Sequence, residues 1–340
     1  MKIKGVCYDV GRVIGGENQH PDFDERTARR ELEIIHRDLH CNTVRVCGQD
    51  IERVILAGRI ALGLGLDVWV SPELWGRPLP EALDYLSTAA QAAEEVRRRA
   101  TGEVVLSVAS EATLFMPGIL SGAGTIPDLI RHPLRLAAAM LRLRAGGHNK
   151  PLNAFLAEAS ATARAGFHGP ITYASVPIEK VDWAPFDIVS VDYYRGKRNR
   201  STYAHGLTRY LGTGKPVVVT EVGCCTYQGA EDKGGRGFLI IDRRHPDRIK
   251  PGHIRDEGLQ AREVADMLGI LEGARIEGAF VLGFASPTLI HRPDPRHDFD
   301  MASYSLVKTL PPGTPSSSYP DLRWEPKQSF HAVAELYNGT

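Results

Sequence analysis

Three observations predict an α/β fold, a single (β/α)8 TIM barrel. Eight short β-branched apolar runs are spread over 340 residues, stretches of helical period separate them, and no GxGxxG follows any early run. Parallel strands covered on both faces read as continuous hydrophobics, as these runs do. The last observation argues against a doubly wound dinucleotide-binding sheet. A minimal barrel needs about 250 residues, so residues 1–340 are expected to form one catalytic domain with no second domain and roughly 90 residues left for loops.

The predicted strands are Ile3 to Tyr8, Thr43 to Cys47, Asp67 to Ser71, Val104 to Ala109, Ile171 to Ser175, Ile188 to Asp192, Pro216 to Thr220 and Ala279 to Phe284. Between them, Glu25 to His40, Ile51 to Gly65, Pro80 to Ala100, Leu152 to Phe167 and Glu257 to Gly278 place apolar residues three and four apart, the signature of helices packed on a sheet. Val176 to Asp187, with Pro177 and Pro185, is too short for a full crossover helix and reads as a degenerate connection. Three longer intervals follow strands four, seven and eight: Ala112 to Lys150, Gly223 to Arg255 and Ser286 to Arg323. Long loops there would stand on the C-terminal face, where barrels keep their active sites.

Lys+Arg and Asp+Glu both number 41, so the formal charge is zero, which demotes nucleic acid as a partner. An apolar share of 43% with 24% charged residues is that of a globular chain rather than a disordered one. The N-terminus carries Asp9 and Arg12 where a signal peptide needs an apolar run, and no stretch reaches membrane-spanning length. No membrane partner is expected. Five cysteines without a zinc spacing, two of them the adjacent Cys224 and Cys225, suit buried thiols in a reducing cytoplasm.

The chemistry is expected at the strand ends, which are unusually polar: Asp9 after strand one, Arg45 in strand two, Glu73 and Trp75 after strand three, Ser110 and Glu111 after strand four, Asp192, Tyr193 and Tyr194 after strand six, and Glu221 after strand seven. Glu111 and Glu221 directly follow the runs SVAS and VVVT, on strands that face each other across a barrel mouth. Opposed carboxyls suit glycosidic cleavage, since one can stay protonated for the leaving oxygen while the other, ionised, attacks the anomeric carbon.

On these residues the sequence resembles clan A of the retaining glycoside hydrolases. TEVG at Thr220 to Gly223 is similar to the clan's nucleophile motif, which implies Glu221 as nucleophile. The Ser110-Glu111 pair occupies the place of an Asn-Glu pair and implies Glu111 as acid/base. NTVRV resembles the strand-two segment whose Arg bonds the nucleophile, implying that role for Arg45. FDIVSVDYY is similar to the strand-six segment that supplies a Tyr, implying Tyr194 with Asp192 behind it, and WEPKQSFHAVAELY resembles the closing helix.

Ser110 departs from the clan's Asn, which holds the sugar 2-hydroxyl. Either Asp9 or Glu73 is then expected to supply that contact, or the glycone is unusual at position 2. Trp75, Trp183, Tyr193 and Phe284 are candidate sugar-stacking aromatics, Trp75 first, and Phe284 is the nearest equivalent of the aromatic that often ends strand eight. His291 to Asp300, rich in His and Asp but without a ligand spacing, reads as a solvated active-site loop. The expected function is exo-acting hydrolysis of small glycosides or oligosaccharides by double displacement, with no cofactor and no metal. Transglycosylation and a sugar-binding barrel without activity are the alternatives. A metal-dependent barrel hydrolase would want HxH after strand one, which instead ends YDVG.

Overall fold

The computed structural model describes residues 1–120, 125 and 133–339. Eight parallel strands close into a barrel: β1 (Ile3–Asp9), β2 (Thr43–Gly48), β3 (Asp67–Pro72), β4 (Val104–Ser110), β5 (Ile171–Ser175), β6 (Val189–Asp192), β7 (Val217–Val222) and β8 (Gly278–Val281). Each pairs with its sequence neighbours, and β8 returns to β1 through the register Ile3↔Gly278 to Val6↔Val281. The fold is the (β/α)8 barrel that the apolar runs predict.

The helices α1 (Glu25–Arg37), α2 (Ile51–Gly63), α3 (Leu79–Arg97), α4 (Asn149–Gly166), α5 (Tyr203–Leu211), α6 (Glu257–Gly273) and α7 (Gln328–Gly339) surround the sheet. Several start where an aspartate can satisfy free amides: Asp24 accepts from the Thr27 amide, Asp50 from those of Glu52 and Arg53, and Asp256 from that of Leu259. No helix lies between β5 and β6, in keeping with the short, Pro-containing connection. Ala112 to Lys150 is more structured than its Gly and Pro content suggests. It holds a turn of helix at Ala112–Phe115 and a helix at Pro133–Ala145, while residues 121–124 and 126–132 of this interval lie outside the described residues.

Alternation along the strands divides the apolar residues into two sets. Val6, Val44, Val68, Leu106, Val191 and Val219 face the helices. Cys7, Cys47, Trp69, Val105, Ile188, Val218 and Phe280 fill the barrel interior, with the Trp69 and Phe280 rings 5.0 Å apart. This plug closes the lower barrel, so polar side chains collect above it at the C-terminal mouth. All five cysteines are free and buried. Among the described residues no helix is long and apolar enough to cross a membrane.

Candidate active site

Strict alternation would not bring both glutamates inward. Val218 and Thr220 share the inner parity of β7, which would turn Glu221 toward the helices. The register shifts at this point: Val191↔Val219 is followed by Asp192↔Glu221, and against β8 Ala279↔Val219 is followed by Val281↔Val222. β7 thus carries one extra residue relative to both neighbours, a bulge that swings Glu221 into the mouth. β4 also carries one extra residue, with Ser107↔Thr172 followed by Ser110↔Ala174, but here Val105 and Glu111 already share the inner parity and the shift turns Ser110 inward, onto Arg45. Glu111 itself has φ 48° and ψ 41°, a left-handed conformation unusual for a non-glycine residue and one that clusters at functional sites.

Glu221 sits in a cationic cradle. Arg12 Nη2 donates to its Oε1 at 3.0 Å, Arg45 Nη1 to the same oxygen at 3.2 Å, and the Tyr194 hydroxyl to Oε2 at 2.7 Å. Burial alone would raise the pKa of this carboxyl, but the two guanidiniums and the Tyr194 hydrogen bond outweigh it, so Glu221 is held below its ordinary value. Burial and the neighbouring Glu221 push the Tyr194 phenol well up, which keeps it a donor.

The environment of Glu111 is the reverse. Its carboxyl accepts no hydrogen bond among the described residues. Burial first, and then the charges of Asp192, Glu221 and Glu179, push it well above the usual carboxylate range. The closest oxygens of Glu111, Asp192 and Glu221 lie within 4.8 Å of one another. Such a trio is the sort of grouping that can hold a cation, but the guanidiniums already on Glu221 oppose one. Asp192 is 1% exposed, and neither of its oxygens has a hydrogen-bond partner. Arg45 Nη1 stays 3.9 Å away, and the Thr220 hydroxyl faces Asp192 outside hydrogen-bond geometry.

Two residues prominent in the geometry were not site candidates from sequence. Arg12 joins Glu221 to Glu73, with Nη2 3.2 Å from Glu73 Oε1 and Nε 2.7 Å from Oε2, the latter an ion-pair contact outside hydrogen-bond alignment. The visible signal was Asp9-Val10-Gly11-Arg12, an aspartate-led turn after a strand. Glu179, from the β5–β6 connection, accepts from the Tyr173 hydroxyl at 2.9 and 3.0 Å and from the amides of Thr113 at 3.2 Å and Val176 at 3.0 Å. Tyr173 in turn accepts from the Ala112 amide at 2.8 Å. This knot pins the turn that carries Glu111, and nothing in the local sequence marks it.

Several expected contacts change their meaning. Asp9 Oδ1 accepts from the amides of Gly11 and Arg12 at 2.7 and 2.8 Å, so it shapes the turn that delivers Arg12. The Glu73 side chain is fully buried between Arg12 and Arg45 and accepts from the Ser71 hydroxyl at 3.2 Å, which leaves it as a strut with no face toward a sugar. Glu73 is thus not free to hold a 2-hydroxyl, and Asp9 has its Oδ1 committed to the turn. Ser110 Oγ accepts from Arg45 Nη2 at 3.3 Å. Phe284 is wholly buried on the helix side, edge-on to Trp324 with centroids 5.2 Å apart. Tyr193 points outward, stacked on Tyr203 at 4.8 Å. Trp183 lies at the opposite end of the barrel, where its carbonyl accepts from Lys215 just before β7 begins. Sugar stacking at these three aromatics is therefore corrected: they are packing residues away from the mouth.

Trp75 stays at the mouth, half-buried and stacked on Phe115 with centroids 4.2 Å apart, its indole donating to the Ser110 carbonyl at 3.3 Å. The segment His291 to Asp300 is solvated only in part: Arg292 to Pro295 are exposed, while its C-terminal end is buried. Asp298 and Asp300 are buried partners of Arg255, and Asp300 also pairs with the fully buried Lys327 at 3.2 Å.

This architecture, a closed eight-stranded barrel with two carboxyls opposed at its C-terminal mouth, defines a class of barrels to which known structures can be compared. No protein-family model and no curated protein matches the sequence. Among solved structures, the chain is similar to a GH113 β-1,4-mannanase, at 14% identity and TM-score 0.59, covering 99% of each chain. It is also similar to a β-glucosidase, at 12% identity and TM-score 0.57, covering 100% of this chain and 98% of the other. A GH2 β-galacturonidase from Eisenbergiella tayi matches at 14% identity and TM-score 0.57, covering 100% of this chain and 51% of that one. At these identities the shared property is the barrel fold.

Proposed function

We propose that this protein is a retaining glycoside hydrolase, one catalytic barrel acting on small glycosides or oligosaccharides, with exo cleavage favoured. The observation that carries the reading is the pair Glu111 and Glu221. Their nearest oxygens lie within 4.8 Å, their environments push them toward opposite protonation states, and their fold is shared with enzymes that cleave mannan, glucosides and galacturonides. Retaining enzymes hold their carboxyls about 5 to 5.5 Å apart, whereas inverting ones leave about 6.5 to 9.5 Å for a water.

In this reading Glu221, oriented by Arg12, Arg45 and Tyr194, attacks the anomeric carbon while Glu111 gives its proton to the departing glycosidic oxygen. A glycosyl ester on Glu221 results. Water then attacks the same carbon, Glu111 takes the water's proton, and the ester bond breaks to return the carboxylate. A sugar hydroxyl in place of that water would make the product a transglycosylation. Trp75 with Phe115 offers an aromatic surface at the mouth for a sugar ring. With Glu73 engaged inside the protein, the short Ser110 leaves position 2 less firmly held, which favours glycones unusual there.

The test is a panel of nitrophenyl glycosides, 2-deoxy forms included, run with the wild type, Glu221→Ala and Glu111→Ala. The wild type should turn over at least one glycoside and release product of the starting anomeric configuration. Glu221→Ala should fall to background. Glu111→Ala should lose about 10²- to 10⁴-fold on nitrophenyl leaving groups but less on dinitrophenyl ones, which need no proton. Full activity in both variants would refute the assignment.

A further inference from the structure

Four carboxyls and two guanidiniums meet in the mouth. Both guanidiniums are committed: Arg12 and Arg45 each contact Glu73 and Glu221. These charges balance in pairs. Glu111 and Asp192 are left over, their oxygens within 4.8 Å of each other, with no cation in hydrogen-bond contact with either. Asp192 is an almost fully buried carboxyl with both oxygens unpartnered. An ionised carboxylate without a partner is costly to bury, and two such neighbours cannot both ionise cheaply.

The groups facing this pair make the imbalance plain. β2 presents Arg45, the residue after β3 is Glu73 and that after β4 is Glu111, β6 ends in Asp192 with Tyr194 just beyond, and β7 presents Thr220 and Glu221. The loop after β1 adds Arg12, and the β5–β6 connection adds Glu179, bonded by Tyr173 of β5. Among the described residues, apart from the two spent guanidiniums, the ionisable neighbours named here are acids or phenols.

We infer that Asp192 and Glu111 hold a single proton between them, and that Asp192 is the positioning residue that keeps this proton available on Glu111. The inference rests on the glycosidase reading above. When Glu111 passes its proton to the glycosidic oxygen, the carbon–oxygen bond to the leaving group breaks, the bond to Glu221 forms, and the pair is left with two charges. That doubly charged pair is then a strong base for the incoming water: as the water oxygen bonds the anomeric carbon and the ester to Glu221 breaks, the water's proton restores the singly protonated pair. The role belongs to Asp192 and not to Thr220 or Tyr194, because neither of those can carry the negative charge that holds a proton on Glu111. Burial raises both carboxyls, with the charge of Asp192 and then that of Glu221 adding to it at Glu111 and the charge of Glu221 at Asp192.

The experiment is the pH profile of kcat/KM for Asp192→Asn on a nitrophenyl glycoside, beside the wild type. With the neighbouring charge removed, Glu111 gives up its proton more easily, so the high-pH limb should move down by about one to two pH units, the size that a like charge inside a site produces. A purely structural role for Asp192 would lower the rate and leave the limb in place, and an unmoved or raised limb overturns the inference. Should Asp192→Asn not fold, ¹³C-carboxyl NMR of the wild type, assigned with Glu111→Gln, follows the pair directly. Two coupled titration steps support the shared proton, and a single Asp192 step in the ordinary carboxylate range overturns it. A wild type inactive on every glycoside would count against the glycosidase reading, while the NMR experiment would still decide the proton.

Discussion

Arg12→Met removes one of the two guanidiniums on Glu221 while keeping much of the side-chain volume. At 3.0 Å and an effective dielectric near 20, the Arg12–Glu221 attraction is about 5 kcal/mol. Arg45 and Tyr194 remain on the carboxyl, so the realised effect is smaller, and one lost arginine neighbour corresponds to about 1 to 3 pH units in a carboxyl's titration. Because Glu221 is held below its ordinary value, the ionised form survives into acid and is lost only as pH falls through that lowered value. Raising that value moves the loss to higher pH. The low-pH limb of kcat/KM for Arg12→Met should therefore shift upward by about 1 to 3 units. The variant also leaves Glu73 with half its counter-charge, and removing one member of a buried ion pair costs about 3 to 5 kcal/mol. For a chain of this length that corresponds to a fall of about 4 to 7 °C in Tm. A scan of pH-dependent rates and a thermal melt measure both. A limb within about 0.3 units of wild type and an unchanged melting temperature would refute the placement of Arg12 in the cradle of Glu221.

Two further expectations concern the scaffold. A Cβ at Gly206 would lie 2.1 Å from the Tyr193 hydroxyl, so Gly206→Ala should cost about 1 to 3 kcal/mol in chemical denaturation, and adding Tyr193→Phe should recover part of it by opening the space. Recovery by less than the error of the measurement would contradict the outward placement of Tyr193. Burial would raise the Glu257 carboxyl, but the Arg255 and Lys308 bonds at 2.7 and 2.9 Å prevail and bring it down to about 2. Its stabilisation is thus present above the ordinary carboxylate value and lost as pH falls toward 2. Glu257→Gln should remove roughly 1 to 2 kcal/mol at neutral pH and flatten the acid side of the stability curve, whereas an unchanged curve would remove the pair from the account.

The barrel was legible because each strand is buried on both faces, which leaves an uninterrupted apolar run, and because each helix repeats its apolar residues at three and four. Glu111, Glu221, Arg45 and Tyr194 could be named because they stand beside those runs. What failed was direction. Tyr193 and Tyr194 differ only in parity, Phe284 and Trp183 sit near a strand without facing the mouth, and Asp9 and Glu73 look free until their partners from other strands are seen. Arg12 and Glu179 act across chain separations of 209 and 66 residues, to Glu221 and to the Thr113 amide, and a linear pattern does not register such distances.

The single extra residue in β7 and in β4 gives the site an unusual kind of vulnerability. A strand is a ruler of period two, and these bulges reset its zero just before each glutamate. A β7 that kept all its residues but ran straight through Val219, Thr220 and Glu221, without the bulge, would leave every side chain chemically intact and still turn the carboxyl of Glu221 toward the helices. The proposed function of this barrel is therefore exposed to a one-residue frame error in the folded chain, and two homologues identical at every polar position could differ in whether this glutamate reaches the mouth at all.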